Sequence, residues 1–129
     1  MNGRFLLDTN VVIGLLADED PVKRRLAAAD EVFVPVIALG ELYYGARKSA
    51  WSDENTGRID EFAARNVVLA CDVATAQHYA EIKNLLRTKG SPIPENDVWV
   101  AALAFQHGLV LATRDRHFDS VEGLSVERW

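Results

Sequence analysis

Residues 4–17, RFLLDTNVVIGLLA, hold two kinds of order side by side. Arg4 to Leu7 is a short apolar run that stops at Asp8. From Thr9 to Ala17 the apolar residues Val12, Ile13 and Leu16 recur at helical spacing, with Val11 and Leu15 beside them. The alternation repeats along the chain. Asp20-Pro21 is a helix start, continued by Lys23 to Ala29. Glu31 to Val34 (EVFV) reads as a strand closed by Pro35, and Val36 to Lys48 as a helix with Leu39, Leu42, Tyr43 and Ala46 along one side. Trp51 to Gly57 reads as polar and turn-like, leading into a modest helix over Ile59 to Arg65. Val67 to Ala70 is strand-like; Asp72 caps a helix over Val73 to Lys89, ended by Gly90. After the break at Ser91-Pro-Ile-Pro94, a helix starting at Glu95 or Asn96 runs through Trp99 and Leu103 to His107. Leu109 to Thr113 (LVLAT) is an almost wholly apolar strand, and Leu124 to Arg128 a short edge strand. Short, continuously apolar strands separated by helices predict a parallel sheet covered on both faces. The fold expected is α/β: a single three-layer domain over residues 1–129.

Composition narrows the function. With 129 residues, 49% of them hydrophobic and 26% charged, the chain has ordinary globular values, which exclude disorder and low complexity. No apolar run approaches the ~20 residues of a membrane span, and the N-terminus lacks a signal peptide's long apolar region and cleavage site. Cys71, the single cysteine, permits neither an intrachain disulfide nor a cysteine-based zinc site and points to a reducing, cytoplasmic setting. The net charge of −5 argues against holding nucleic acid through a general basic surface. It leaves room for an enzyme that meets phosphates through bound cations.

Ligands of open parallel sheets bind beyond the carboxyl ends of the strands. Asp8 follows RFLL directly, Asp115 follows LVLAT after two residues, Asp97 lies in the first turn of the helix after Pro94, and Glu41 lies in the second turn of the helix after EVFV. Connectivity allows these four carboxylates to converge on one rim, where they would repel one another unless a cation compensates. Hard oxygen ligands suit Mg2+ or Mn2+, and their natural chemistry is metal-assisted attack of water on a phosphodiester. Each residue also has an ordinary reading: Asp8 as an N-cap, Asp97 as a favourable charge on a helix dipole, Asp115 as a turn residue, Glu41 as a solvated helix position.

Four segments taken in order resemble the PIN domain and, within it, the VapC-type ribonuclease toxins of toxin–antitoxin pairs: LLDTNVVI (6–13), IALGELYYGA around Glu41, PENDVWVAALA around Asp97 and LATRDRHF around Asp115. The resemblance spans essentially the whole chain. It implies that Asp8, Glu41, Asp97 and Asp115 bind Mg2+ or Mn2+, with Thr9, Asn10, Asn96 and Thr113 orienting carboxylates or water. It further implies cleavage of RNA, tRNA being a frequent target among relatives, to leave 5′-phosphate and 3′-hydroxyl ends. It also implies a homodimer silenced by a VapB-type antitoxin whose C-terminal segment lies along a groove near the acids and places a basic side chain among them. Arg114 and Arg116 flank Asp115, either gripping phosphate or standing as solvated loop charges. His117 could protonate a leaving group, although such a site does not require it; His78 and His107 read as ordinary helix residues. Leu15, Leu16, Tyr43, Tyr44 and Trp51 could form an apolar partner surface, with core packing the default for each. Two other readings compete: a phosphoacceptor receiver domain, which lacks here its acidic pair, its acceptor Asp and its Lys, and a PIN-like module that binds without catalysis.

Overall fold

The computed structural model describes residues 3–129. In chain order it contains β1 (Arg4–Leu7), α1 (Thr9–Leu16), α2 (Asp20–Ala28), β2 (Glu31–Pro35), α3 (Val36–Lys48), α4 (Ser52–Arg65), β3 (Val67–Leu69), α5 (Val73–Lys89), α6 (Glu95–His107), β4 (Val110–Thr113), a 3-10 turn (Arg116–Ser120) and β5 (Val126–Arg128). The five strands pair in parallel in the order β3-β2-β1-β4-β5. A receiver domain would show the order 2-1-3-4-5, so the topology sets that reading aside.

Three side chains of β1 show why its apolar run is continuous. Successive strand residues face opposite sides of a sheet. Leu6 enters a core with Ile82 and Leu86 of α5, Val98 and Leu103 of α6, Leu111 and Phe118. Phe5 and Leu7 enter a second core with Val11, Val12, Leu39, Ile59 and Phe62 from α1, α3 and α4. Both faces are covered, so neither register position of the strand can be polar. Trp129 closes one edge, with its ring centroid 4.9 Å from that of Phe5.

Most helix boundaries follow local chemistry. Asp72 and Thr75 form a reciprocal capping box at the start of α5, and Gly90 ends it with φ 75°. Gly108 ends α6 in the same way, at φ 63°. One expectation fails: α4 starts at Ser52, so the stretch 51–57 is largely helix and not turn. Asp53 and Glu54 fall in its first turn, where acidic charge favours the helix, and the buried Ile59 and Phe62 hold the segment to the core. The aromatic expectation also needs correction: Tyr44 and Trp51 are 66% and 71% exposed, outside the core, whereas Tyr43, Leu15 and Leu16 pack partly buried against it.

Candidate metal centre

The parallel register of β1 and β4 pairs Leu7 with Ala112. The next residue on each strand is Asp8 and Thr113, and the Asp8 N–H donates to the Ala112 carbonyl at 2.9 Å. Two polar side chains are thereby set together at the carboxyl edge. In the order β3-β2-β1-β4-β5, the chain runs outward from β1 to β3 and returns to β4. The β1/β4 boundary is therefore the switch point where a crevice opens.

Asp8 is 5% exposed. Its Oδ1 accepts the Thr9 N–H at 2.9 Å, capping α1, and its Oδ2 accepts the Thr113 hydroxyl at 2.7 Å and the Asn10 amide at 3.4 Å. The Thr113 hydroxyl oxygen in turn accepts the Asp115 N–H at 2.9 Å. Asp115 Oδ1 accepts the His117 N–H at 2.9 Å and so starts the 3-10 turn. Asp97 enters from the first turn of α6, which Pro94 opens. His117 Nδ1 lies 3.0 Å from Asp97 Oδ2 and 2.9 Å from Asp115 Oδ1. One ligand atom from each of Asp97, Asp115 and His117 falls within 4.8 Å of the others.

Burial pushes the Asp8 carboxyl above the usual carboxylate value; the hydrogen bonds from Thr113 and Thr9 oppose that rise, and the Asp115 charge adds to it. Asp97 is raised further, to about 6, first by burial and then by the charges of Asp8 and Asp115, with His117 pulling the other way. A half-buried carboxylate facing two others is the electrostatic setting in which a divalent cation is stabilising. The oxygen donors suit a hard ion, and the ring nitrogen of His117 lies among them.

The remaining residues singled out in the sequence divide. Glu41 is exposed on α3 and reaches the rim through Thr9, whose hydroxyl donates to Glu41 Oε1 at 3.0 Å while its backbone N–H serves Asp8. Asn10 also joins the network, its Oδ1 accepting the Arg114 N–H at 3.1 Å. Asn96 is exposed beside Asp97 and makes none of these bonds. The Arg114 guanidinium is engaged by Glu19, whose carboxyl it lowers, and by the Trp129 carbonyl at 3.1 Å. It is a structural tie, whereas Arg116 stands exposed at the start of the turn. His117 is the residue that sequence reasoning undervalued. Its spacing two residues past Asp115 was the available signal, but its place between two acids depends on the turn.

The model of the PIN domain family matches residues 5–124. Ribonuclease VapC2 of Haemophilus influenzae is 35% identical over 98% of each chain. The tRNA(fMet)-specific endonuclease VapC of Shigella flexneri is 33% identical over the same share. The crystal structure of DNA-bound VapBC from Salmonella typhimurium superposes with a TM-score of 0.90 at 31% identity, over 100% of this chain and 99% of that one. With its acids at the switch point and relatives matching from end to end, the chain belongs to the PIN-domain family, with VapC ribonucleases as its full-length relatives.

Proposed function

We propose that this chain is the endoribonuclease toxin of a VapBC-type pair and that Asp8, Asp97 and Asp115 hold Mg2+ or Mn2+ at the crevice, with Glu41 completing the rim. The observation that carries the reading is the Asp8–Thr113–Asp115 hydrogen-bonded chain facing Asp97, whose carboxyl is raised to about 6 by burial and by those charges. A divalent ion bound there would lower the pKa of an attacking water and neutralise charge on the phosphate and the departing oxygen. The protein's own work is positional. Thr113 holds Asp8 and the Asp115 backbone in one register, Thr9 ties Glu41 to Asp8, and Asn10 fixes Asp8 against the turn.

The substrate is RNA, and tRNA is the first class to test, because one relative is a tRNA(fMet)-specific endonuclease. The partner is a VapB-type antitoxin, as in the VapBC complexes that share this fold. A groove of ≈ 470 Å³ between α1, α3 and α4 supports that reading. Ile13, Leu16 and Leu42 make it apolar, and Thr9 and Glu41 join it to the acids, so a segment lying there could place a basic side chain among them. Among the described residues no helix is long and apolar enough to cross a membrane, and we place the enzyme in the cytoplasm.

Purified protein is expected to cleave RNA with Mg2+ or Mn2+, to stop with EDTA, and to lose roughly 100-fold or more of its rate on Asp8→Ala or Asp97→Asn. Wild-type rates in both variants would overturn the assignment. No cleavage of any RNA by the metal-loaded wild type would favour the binding-module reading.

A further inference from the structure

His117 stands outside the acidic set, yet its ring nitrogen lies within hydrogen-bonding distance of both Asp97 and Asp115. Its Nδ1 is 3.0 Å from Asp97 Oδ2 and 2.9 Å from Asp115 Oδ1. Adjacent ligands of an octahedral ion with bonds of about 2.1 Å lie about 3.0 Å apart, so these spacings already match two edges of such a shell. The ring is held there by its surroundings. Phe118, the next residue, is fully buried, and Arg128 pins the turn from β5, donating to the Asp115 carbonyl at 2.8 Å and to both Asp119 carboxylate oxygens at 2.9 Å. The His117 side chain is 51% exposed, which leaves its open side to solvent and substrate.

We propose that His117 supplies a nitrogen ligand to the divalent ion and biases the centre toward Mn2+ over Mg2+. Imidazole binds Mn2+ and later transition ions more readily than Mg2+, which selects oxygen. A carboxylate–carboxylate–imidazole set therefore discriminates where carboxylates alone would not. The inference rests on the metal-centre reading above and concerns which atoms make the centre.

The test is pulsed electron paramagnetic resonance of Mn2+ added to the tag-free, metal-stripped full chain, together with Mn2+ and Mg2+ titrations. Wild type should show electron spin-echo modulation from a directly bound imidazole nitrogen. The modulation should vanish in His117→Ala and His117→Gln and persist in His78→Ala. In the two His117 variants Mn2+ affinity should fall about 10-fold or more, while Mg2+ affinity changes less than about 3-fold. Bound Mn2+ without nitrogen modulation, or an unchanged Mn2+ to Mg2+ preference in both variants, overturns the inference. If in that case Asp97→Asn still abolishes Mn2+ binding, the metal-centre reading survives alone. If Asp97→Asn and Asp115→Asn also leave Mn2+ affinity untouched, both readings fall.

Discussion

Asp8 is an acid held almost out of water, and Thr113 is what makes that tolerable. The threonine is fully buried, donates its hydroxyl to Asp8 and accepts the Asp115 N–H. Thr113→Val keeps the shape but leaves a buried carboxylate and a backbone N–H each short of a partner. It should cost about 1–3 kcal/mol in chemical denaturation and lower cleavage, because Asp115 loses its tether; unchanged stability and activity would show that the bond does neither job. Titration gives a second prediction. Between the ordinary value of 3.8 and about 6, folded Asp97 keeps a proton that the unfolded chain has released. Stability of the metal-free protein therefore falls as pH rises through that window and stays low above it. Glu19 and Asp72, whose carboxyls are lowered, lose their contributions only at more acidic pH. The melting temperature in EDTA should accordingly be higher near about pH 5 than near about pH 7.5, the difference shrinking in Asp97→Asn and with added Mg2+. The places of Asp8 and Asp97 were legible because Asp8 follows β1 directly and Asp97 lies in the first turn of α6, so a one-dimensional boundary fixed each; Asp115 and Glu41 lie a little further from such boundaries. Arg114 was not legible, since its partner Glu19 lies 95 residues away in the chain and nothing local to Arg114 announces it.

At the scale of elements, the register of two strands is what builds the crevice. Leu7 opposite Ala112 aligns Asp8 with Thr113, and a slip of one strand by one residue would put the two side chains on opposite faces. The alternation of strands and helices was readable because both faces of β1 are buried. The first turns of α4 were not, because Asn55, Gly57 and their polar neighbours carry no apolar period; besides the acidic first turn and the buried Ile59 and Phe62, they are held by Asn55 Nδ2 to Ser49 Oγ at 3.0 Å across the preceding turn and by Arg58 to the Leu16 carbonyl at 2.7 Å. Two helical glycines then make a paired prediction. A Cβ on Gly57 would meet nothing within 4 Å, whereas one on Gly14 would come within 2.8 Å of the Arg114 guanidinium and 3.0 Å of Glu19 Oε2. Gly57→Ala should stabilise by about 0.5–1 kcal/mol from helix propensity. Gly14→Ala gains the same propensity term but must displace the Arg114–Glu19 pair, so its melting temperature should stay level with wild type or fall. Equal stabilisation by both would mean that the pair adapts freely.

The whole molecule carries a net charge of −5, although the function proposed for it acts on a polyanion. Much of its basic complement is already engaged: Arg4, Lys23, Arg25, Lys83, Lys89, Arg114 and Arg128 each pair with a carboxylate of the same chain. On the function proposed above, RNA would be met chiefly through the divalent ion and a few groups such as Arg116, and not through a basic track. The consequence is measurable. A protein neutralising six to ten phosphates with its own cations loses about 10³–10⁵ in affinity between about 50 and 200 mM salt. Here kcat/KM on a short RNA, followed against KCl at fixed Mg2+, should fall only about 10-fold or less over that range, as expected for about one or two phosphate contacts. Arg116→Ala should make the dependence shallower still. Removing Mg2+ should abolish turnover at every salt concentration, since without it the acids at the crevice repel the phosphate they serve. A loss approaching the steep limit would mean that an extended basic surface forms when copies of the chain assemble.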